Sequence, residues 1–278
     1  MGAPMSGAAP PSTTCYNCGT LLAGPFCSAC GQKAGPLDPT VHDFLHDFTH
    51  EMFHVDGRIF RSVWTLITAP GVLTREQFQG RRAQWVSPIR LYLIFSLLYF
   101  AASTLPASRP VVIEPNDDPE ATAFLQRLGF NSPEAMREWV GETIAHWGPR
   151  AMFVLVPVFA WLVGLAWRRR GHHYPQQLYF ALHVHAAWFA VAALVVVLRL
   201  VVPSSLGEYL DDALLVYGFL YVVVAFRRAY GTMRRQAIVR MIAVLLAYSL
   251  VVGMVAAGLG VALIFGHGSL SWVFGGLS

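Results

Sequence analysis

Residues 41–95, VHDFLHDFTHEMFHVDGRIFRSVWTLITAPGVLTREQFQGRRAQWVSPIRLYLIF, join a polar N-terminal part of the chain to a strongly apolar remainder. The stretch begins with a histidine-rich segment, passes through a loop that carries Arg81 and Arg82, and ends in the first long apolar run. We therefore expect the fold to change here, from a small metal-bound unit before the stretch to membrane-embedded helices after it.

The composition of the whole chain is typical of a membrane protein. Of its 278 residues, 55% are hydrophobic and only 13% are charged, and the mean hydropathy is +0.48. A soluble domain usually carries about 25% charged residues, whereas apolar runs of about 20 residues are long enough to cross a bilayer. The sequence predicts an all-α integral membrane protein with about five transmembrane helices, a small N-terminal zinc ribbon and amphipathic juxtamembrane helices.

Two Cys-x-x-Cys-Gly motifs define the zinc ribbon, which we place at residues 15–33, after a disordered tail at residues 1–14. Paired Cys-x-x-Cys spacing favours a tetrahedral metal site over two disulfides. The predicted ligands are Cys15, Cys18, Cys27 and Cys30. Four thiolates leave no open coordination position, so the zinc ion would be structural. Reduced thiols also indicate a cytosolic N-terminus.

Residues 41–86 are predicted to form cytosolic or interfacial amphipathic helices. In the first of these, an apolar stripe with helical period runs beside histidines spaced four apart, at His42, His46, His50 and His54. These histidines either line the wet flank of a helix that lies against the membrane or a partner, or share a metal ion between neighbours. A second helix, at residues 59–69, should end at Pro70-Gly71 and is too short to span.

The remainder, residues 87–278, is predicted to be a helical membrane domain with an outer loop at 106–148. The expected spans are 89–105, 149–167, 177–200, 210–226 and 241–265. In the outer loop we expect two short helices, one of which starts at Ser132-Pro133-Glu134. The fifth span has small residues three to four apart, a spacing that favours close helix packing, at Gly253, Ala256, Ala257 and Gly260.

The distribution of arginine predicts the orientation, because the arginine-rich segments between the expected spans all face the same side of the membrane. The positive-inside rule then places the N-terminus in the cytosol and the C-terminus outside. Lys33 is the only lysine among the 20 basic residues, which is compatible with GC-rich coding, so we expect the inner membrane of a bacterium. The clusters at the membrane edge favour anionic lipid over nucleic acid as a partner. The residues concerned are Arg81, Arg82, Arg168, Arg169 and Arg170.

His183 and His185 are the most informative polar residues of the membrane domain, because ionisable side chains at membrane depth are functional candidates. Two residues apart on a helix, their side chains point about 200° from each other and cannot chelate one ion together. Each must find a partner on another span. The rings are either neutral and hydrogen-bonded to tyrosines such as Tyr92 and Tyr217, or ligands of a metal or haem.

Several motifs, taken in order, resemble one family of mostly bacterial membrane proteins known as domain of unknown function 3667. They are the two Cys-x-x-Cys-Gly motifs, HVDGRIFRS with the following PG, GRR with W-x-SPIRLYL, and QLYFALHVHAAWF. The resemblance implies a zinc ribbon on a helical membrane body, and no established activity. It gives weight to His54, Asp56, Pro70, Gly71, Gly80, Arg81, Pro88, His183 and His185.

Two classes of function fit these observations. The first is a non-enzymatic assembly, transport or regulatory protein whose ribbon binds a protein partner. The second is a membrane-embedded metal- or haem-dependent enzyme that acts on lipid or quinone. Its cofactor ligands would be His183, His185, His50 and His54. The sequence contains no Gly-rich phosphate loop and no nucleophile elbow that would point to a reaction.

Overall fold

The computed structural model describes residues 13–35, 57–105, 123, 125, 126, 130–167, 173–231 and 235–274. An N-terminal unit at 13–35 contains two short antiparallel bridges. Seven helices follow within the described ranges: α1 (Arg58–Thr68), α2 (Val72–Phe78), α3 (Pro88–Ala102), α4 (Pro133–Trp167), α5 (Tyr174–Arg199), α6 (Ser204–Tyr230) and α7 (Arg235–Phe274). The histidine-rich helix predicted before residue 57 lies outside the described residues.

Four of these helices are long and apolar enough to cross a membrane. The spans are Ala145–Trp167, Tyr174–Arg199, Tyr209–Tyr230 and Ile238–Val261. They confirm the prediction of a helical membrane protein. The first of the five expected spans corresponds to α3, which is apolar and 15 residues long. Its length of about 22 Å is less than the thickness of a bilayer core, about 30 Å, so a membrane crossing at α3 stays a prediction.

Helix α5 lies at the centre of the bundle, and 67% of its span is buried inside the protein. Because it has neighbours on several sides, it is apolar around its whole circumference rather than along one stripe. Helix α3 packs against it through aromatic rings, with Tyr99 and Phe100 within 5.2 and 5.5 Å of Phe189. Pro175 lies in the first turn of this helix.

Helix α7 lies at the edge of the bundle, since only 6% of its span is buried. A Cβ atom added at Gly253 or Gly260 would meet nothing within 4 Å. Within the described part of the chain, these two glycines therefore do not bring α7 close to another helix, and the predicted role of the small residues in helix packing stays a prediction.

Helices α1 and α2 form a hairpin that packs into the bundle instead of lying beside it. The predicted stop at Pro70-Gly71 is confirmed, because α1 ends at Thr68 and Gly71 has a φ of +79° at the start of α2. A Cβ atom at Gly71 would lie 2.6 Å from the carbonyl oxygen of Ala225 in α6. Tyr217 of α6 donates a hydrogen bond of 3.1 Å to the Ile67 carbonyl. The hairpin is therefore part of the core that surrounds α5.

Helix α4 begins where the sequence predicted, but it is much longer. The hydroxyl of Ser132 accepts a hydrogen bond of 3.2 Å from the Ala135 N–H, and the helix then continues for 35 residues. The expected short outer helix and the second span are therefore one continuous helix. Pro149 and Pro157 lie inside it without ending it, which is common in membrane helices because neighbouring groups satisfy the freed backbone carbonyls.

Candidate functional site

The four cysteines converge on one point in the N-terminal unit. Their sulfur atoms all lie within 4.8 Å of one another. The Cys15–Cys30 pair is separated by 3.6 Å and the Cys18–Cys27 pair by 3.5 Å, and all four thiols are free. These distances are far from a disulfide bond of about 2.05 Å. They are close to the separation of about 3.8 Å between sulfurs that share a zinc ion at 2.3 Å.

The same backbone turn builds each half of this cluster. Gly19 and Gly31 follow the two Cys-x-x-Cys pairs and have φ values of +78° and +73°, in the left-handed region that favours glycine. Their N–H groups donate to the carbonyls of Cys15 and Cys27 at 2.8 and 2.9 Å. The unit also includes Thr14, which bridges to Leu21. Its described part therefore starts before residue 15, within the segment that the sequence assigned to the tail.

The thiols differ in acidity. Hydrogen bonds with the side chain and backbone of Thr20 lower the pKa of Cys18 to about 6. A backbone hydrogen bond from Gln32 lowers the pKa of Cys30, but desolvation and the other three thiols together raise it to about 11. The Cys18 thiolate therefore forms more readily than the Cys30 thiolate, because the pKa of Cys18 is the lower of the two. A metal ion bound through thiolates would release protons from this cluster.

The side chain of Gln32 joins the cysteine unit to the membrane body. The Gln32 Nε2 group donates a hydrogen bond of 2.8 Å to the Gly80 carbonyl. Its Oε1 atom accepts hydrogen bonds from the backbone N–H groups of Arg82 and Ala83, at 2.9 and 3.0 Å. Gln32 comes directly after the second Cys-x-x-Cys-Gly motif. The unit is therefore docked on the loop that follows α2.

This loop, Gly80–Ala83, is tied to both helices of the hairpin. Arg58 in the first turn of α1 donates a hydrogen bond of 2.6 Å to the Ala83 carbonyl. The Arg81 guanidinium lies 3.7 Å from the buried carboxylate of Glu76 in α2. Arg61 lies 5.1 Å from the ring centre of Trp85, as a cation–π pair. The loop thus connects the cysteine unit, α1 and α2.

The two histidines of α5 are buried and contact different helices, as their spacing predicted. The Nδ1 atom of His183 lies 3.0 Å from the hydroxyl oxygen of Thr74 in α2. For His185, Nδ1 lies 2.8 Å from the Ala181 carbonyl and Nε2 lies 2.8 Å from the Tyr248 hydroxyl. Because a carbonyl only accepts, Nδ1 of His185 carries the proton and Nε2 accepts from Tyr248.

The sequence did not identify these partners. Thr74 lies in a short polar helix, and Tyr248 in α7 was not among the tyrosines considered. Gln177 was also missed: it is buried in α5 and accepts a hydrogen bond from Tyr230 at the end of α6. The only clue was that a polar residue inside a membrane bundle needs a polar partner on another helix.

The structure brings together only some of the predicted ligands. Among the described residues, the cysteine cluster is the only group of three or more Cys, His, Asp or Glu side chains close enough to hold a metal ion. His183 and His185 belong to no such group there. The proposed ligands His50 and His54, and the basic residues Arg168, Arg169 and Arg170, lie outside the described residues.

Comparison with known proteins gives one match. Residues 56–100 match the family model described as Protein of unknown function (DUF3667). No curated protein and no solved structure matches the chain. The matched stretch contains α1, α2, the Gly80–Ala83 loop and most of α3. Residues 56–100 are thus a domain of the DUF3667 family, the family that the sequence motifs resemble.

Proposed function

We propose that the protein is a non-enzymatic inner-membrane protein, with a role in assembly, transport or regulation, whose N-terminal cysteines hold a structural zinc ion. The convergence of four sulfur atoms within 4.8 Å is the observation that supports this proposal. Four thiolates complete a tetrahedral shell and leave no position for a substrate or water. The metal would therefore hold the fold of the unit at residues 13–35 and take no part in a reaction.

The membrane domain also favours a non-enzymatic role. Both nitrogens of His185 have partners, and His183 has a hydrogen bond to Thr74. A haem or metal bound through Nε2 of His185, or through Nδ1 of His183, would have to displace the Tyr248 or Thr74 hydroxyl. Pairs of this kind are how membrane bundles satisfy buried polar side chains.

Charge supports a cytosolic position for the ribbon and contact with anionic lipid. The exposed Arg81 lies on the loop that binds the ribbon, and Arg228 at the end of α6 donates a hydrogen bond to the Pro70 carbonyl of the hairpin. At the opposite end of α6, Arg199 is neutralised by Asp211 at 3.1 Å. An excess of arginine on the ribbon side is what the positive-inside rule expects of a cytosolic face.

The ribbon also presents apolar side chains that fit a protein partner. Leu21 and Phe26 are 71% and 60% exposed, and Tyr16 is 37% exposed. Exposed aromatic and aliphatic residues on a small unit are typical of protein-binding surfaces. We place the assembly or regulatory role of the protein on this surface.

Elemental analysis of the detergent-purified protein tests the proposal. We expect one zinc ion per chain, no visible chromophore, and complete loss of the ion when all four cysteines are changed to serine. His185→Ala is the matched control and should keep its zinc, because it removes a buried ring without touching the cluster. Iron in place of zinc would give a coloured thiolate site and contradict the metal assignment. Metal or haem that survives in the cysteine variant would contradict the non-enzymatic role.

A further inference from the structure

We propose that Gln32 is a metal-dependent latch, through which occupancy of the cysteine cluster controls how firmly the Gly80–Ala83 loop is held. The loop joins α2 to α3 and is tied to α1, so the latch also acts on the hairpin inside the bundle. This inference rests on the proposed function, because it requires a metal ion at the four cysteines.

The position of Gln32 depends on the cysteine cluster. Its carbonyl accepts a hydrogen bond of 2.9 Å from the Cys27 N–H, and it follows Gly31, whose N–H donates to the Cys27 carbonyl. The unit has almost no apolar core of its own, since Leu21 and Phe26 are exposed. Units of this size depend on their metal ion to fold. Loss of the ion would therefore release the backbone that positions Gln32.

The hydrogen-bonding groups of the Gly80–Ala83 loop are complementary to a side-chain amide. It offers one carbonyl, from Gly80, and two N–H groups, from Arg82 and Ala83, all within 3.0 Å of the Gln32 side chain. An amide supplies a donor and an acceptor at the same end of the chain, whereas a carboxylate supplies acceptors only. Three hydrogen bonds from one side chain make this a specific contact.

Further contacts connect the Gly80–Ala83 loop to the helices of the membrane bundle. The Arg81 N–H donates a hydrogen bond of 2.9 Å to the Glu76 carbonyl, and the two side chains lie 3.7 Å apart. Two residues earlier in α2, Thr74 lies 3.0 Å from His183 of α5. A linked series of contacts therefore runs from Cys27 through Gln32 and the loop to the central helix. We infer that the metal state of the ribbon reaches the bundle by this route.

Amide hydrogen exchange, followed by mass spectrometry on the detergent-solubilised full chain, tests the latch. The measured quantity is the exchange rate of the Arg82 and Ala83 amides, in peptides that cover residues 81–84. The variants are the wild type, Gln32→Ala and the matched control Gln79→Ala, which removes an exposed glutamine beside the loop. Each is measured before and after metal is removed with a chelator, and zinc content is determined on the same samples.

We expect Gln32→Ala to speed exchange of these two amides at least about fivefold, the effect of losing one net hydrogen bond, with zinc content unchanged. Chelation should speed exchange of the wild type by at least the same factor and have little further effect on Gln32→Ala. Gln79→Ala should behave as the wild type.

Two results would overturn the latch while leaving the metal site intact. One is unchanged exchange in zinc-loaded Gln32→Ala. The other is a chelator effect of equal size in Gln32→Ala and the wild type, which would show that the metal acts on the loop by another route. A wild type without bound metal would instead overturn the proposed function, and the metal dependence of the latch with it.

Discussion

The hydroxyl oxygen of Thr74 and the Nδ1 atom of His183 lie 3.0 Å apart, although the two residues are separated by 109 positions in the sequence. Both side chains are almost completely buried, at 1% and 3% exposure. The pair joins the inserted hairpin to the central helix by a polar contact inside an apolar bundle. This contact gives the first prediction.

Thr74→Val should destabilise the protein by about 1–3 kcal/mol, because it keeps the shape of the side chain but removes the buried hydroxyl that lies 3.0 Å from Nδ1 of His183. Thr74→Ser keeps the hydroxyl and should therefore lose less stability than Thr74→Val. Thr68→Val changes an exposed threonine of α1 and serves as the control. Thermal unfolding in detergent measures all three. Equal midpoints for Thr74→Val and wild type would show that the hydrogen bond does not stabilise the fold.

Gly71→Ala should be among the most damaging substitutions in the hairpin. The φ of +79° at Gly71 disfavours any side chain, and the new Cβ atom would lie 2.6 Å from the Ala225 carbonyl oxygen. The conformational cost alone is about 1–2 kcal/mol, and the clash adds to it. We expect a lower unfolding midpoint and faster proteolysis of the hairpin.

The matched control for this substitution is Gly141→Ala. Gly141 lies inside α4, and a Cβ atom there would meet nothing within 4 Å. Alanine favours a helix over glycine by about 1 kcal/mol, so this variant should be neutral or slightly more stable. If both variants lose stability equally, the close approach of Gly71 to α6 is not the cause.

Zinc affinity should fall steeply as the pH is lowered through about 6. Above this pH, Cys18 is already ionised because its hydrogen bonds with Thr20 lower its pKa to about 6. Below it, one more proton must leave for each ion that binds, since only thiolates are ligands. Competition with a chromophoric chelator at several pH values measures this dependence. Thr20→Ala should raise the pH at which zinc is lost, and an unchanged curve would argue against the role of Thr20.

Cysteine labelling tests the orientation. In cells of a bacterial host, a membrane-impermeant maleimide should label Asn131→Cys, which lies just before α4, without permeabilisation. Gln79→Cys, next to the Gly80–Ala83 loop, should be labelled only after the membrane is opened. The wild type provides the background, because its four cysteines all lie in the N-terminal unit at residues 13–35. External labelling of Gln79→Cys would reverse the orientation deduced from the arginines.

Local patterns predicted much of this fold. The spacing of Cys15, Cys18, Cys27 and Cys30 predicted their convergence, and apolar runs located α4 to α7. Helix α2 was missed because VLTREQF is seven residues long and mostly polar, which gives no clear period. The length of α4 was underestimated because residues 133–148 were assigned to a separate short helix of the outer loop, whereas they continue directly into the span.

The contacts that assemble the site were not predictable from local patterns. Gln32 contacts Gly80 across 48 positions, and Tyr217 contacts Ile67 across 150. Neither contact leaves a periodic signal, because each depends on one side chain that meets backbone groups of a distant turn. A polar residue inside an apolar helix, such as His183 or Gln177, shows that a partner exists but not which residue it is.

The insertion of the hairpin between helices that come later in the chain fixes the order of events during synthesis. Ile67 leaves the ribosome 150 residues before Tyr217, which at about 5–20 residues per second corresponds to roughly 8–30 seconds. Until then α1 and α2 lack α6, one of the helices that they pack against. Phe60 and Trp64 are 84% and 72% exposed in the folded protein. Before the hairpin docks, these side chains form an apolar edge that can bind the bilayer surface. Final docking of the DUF3667 domain is therefore a late step of biogenesis, and it is open to interference by chaperones or by truncation after α5.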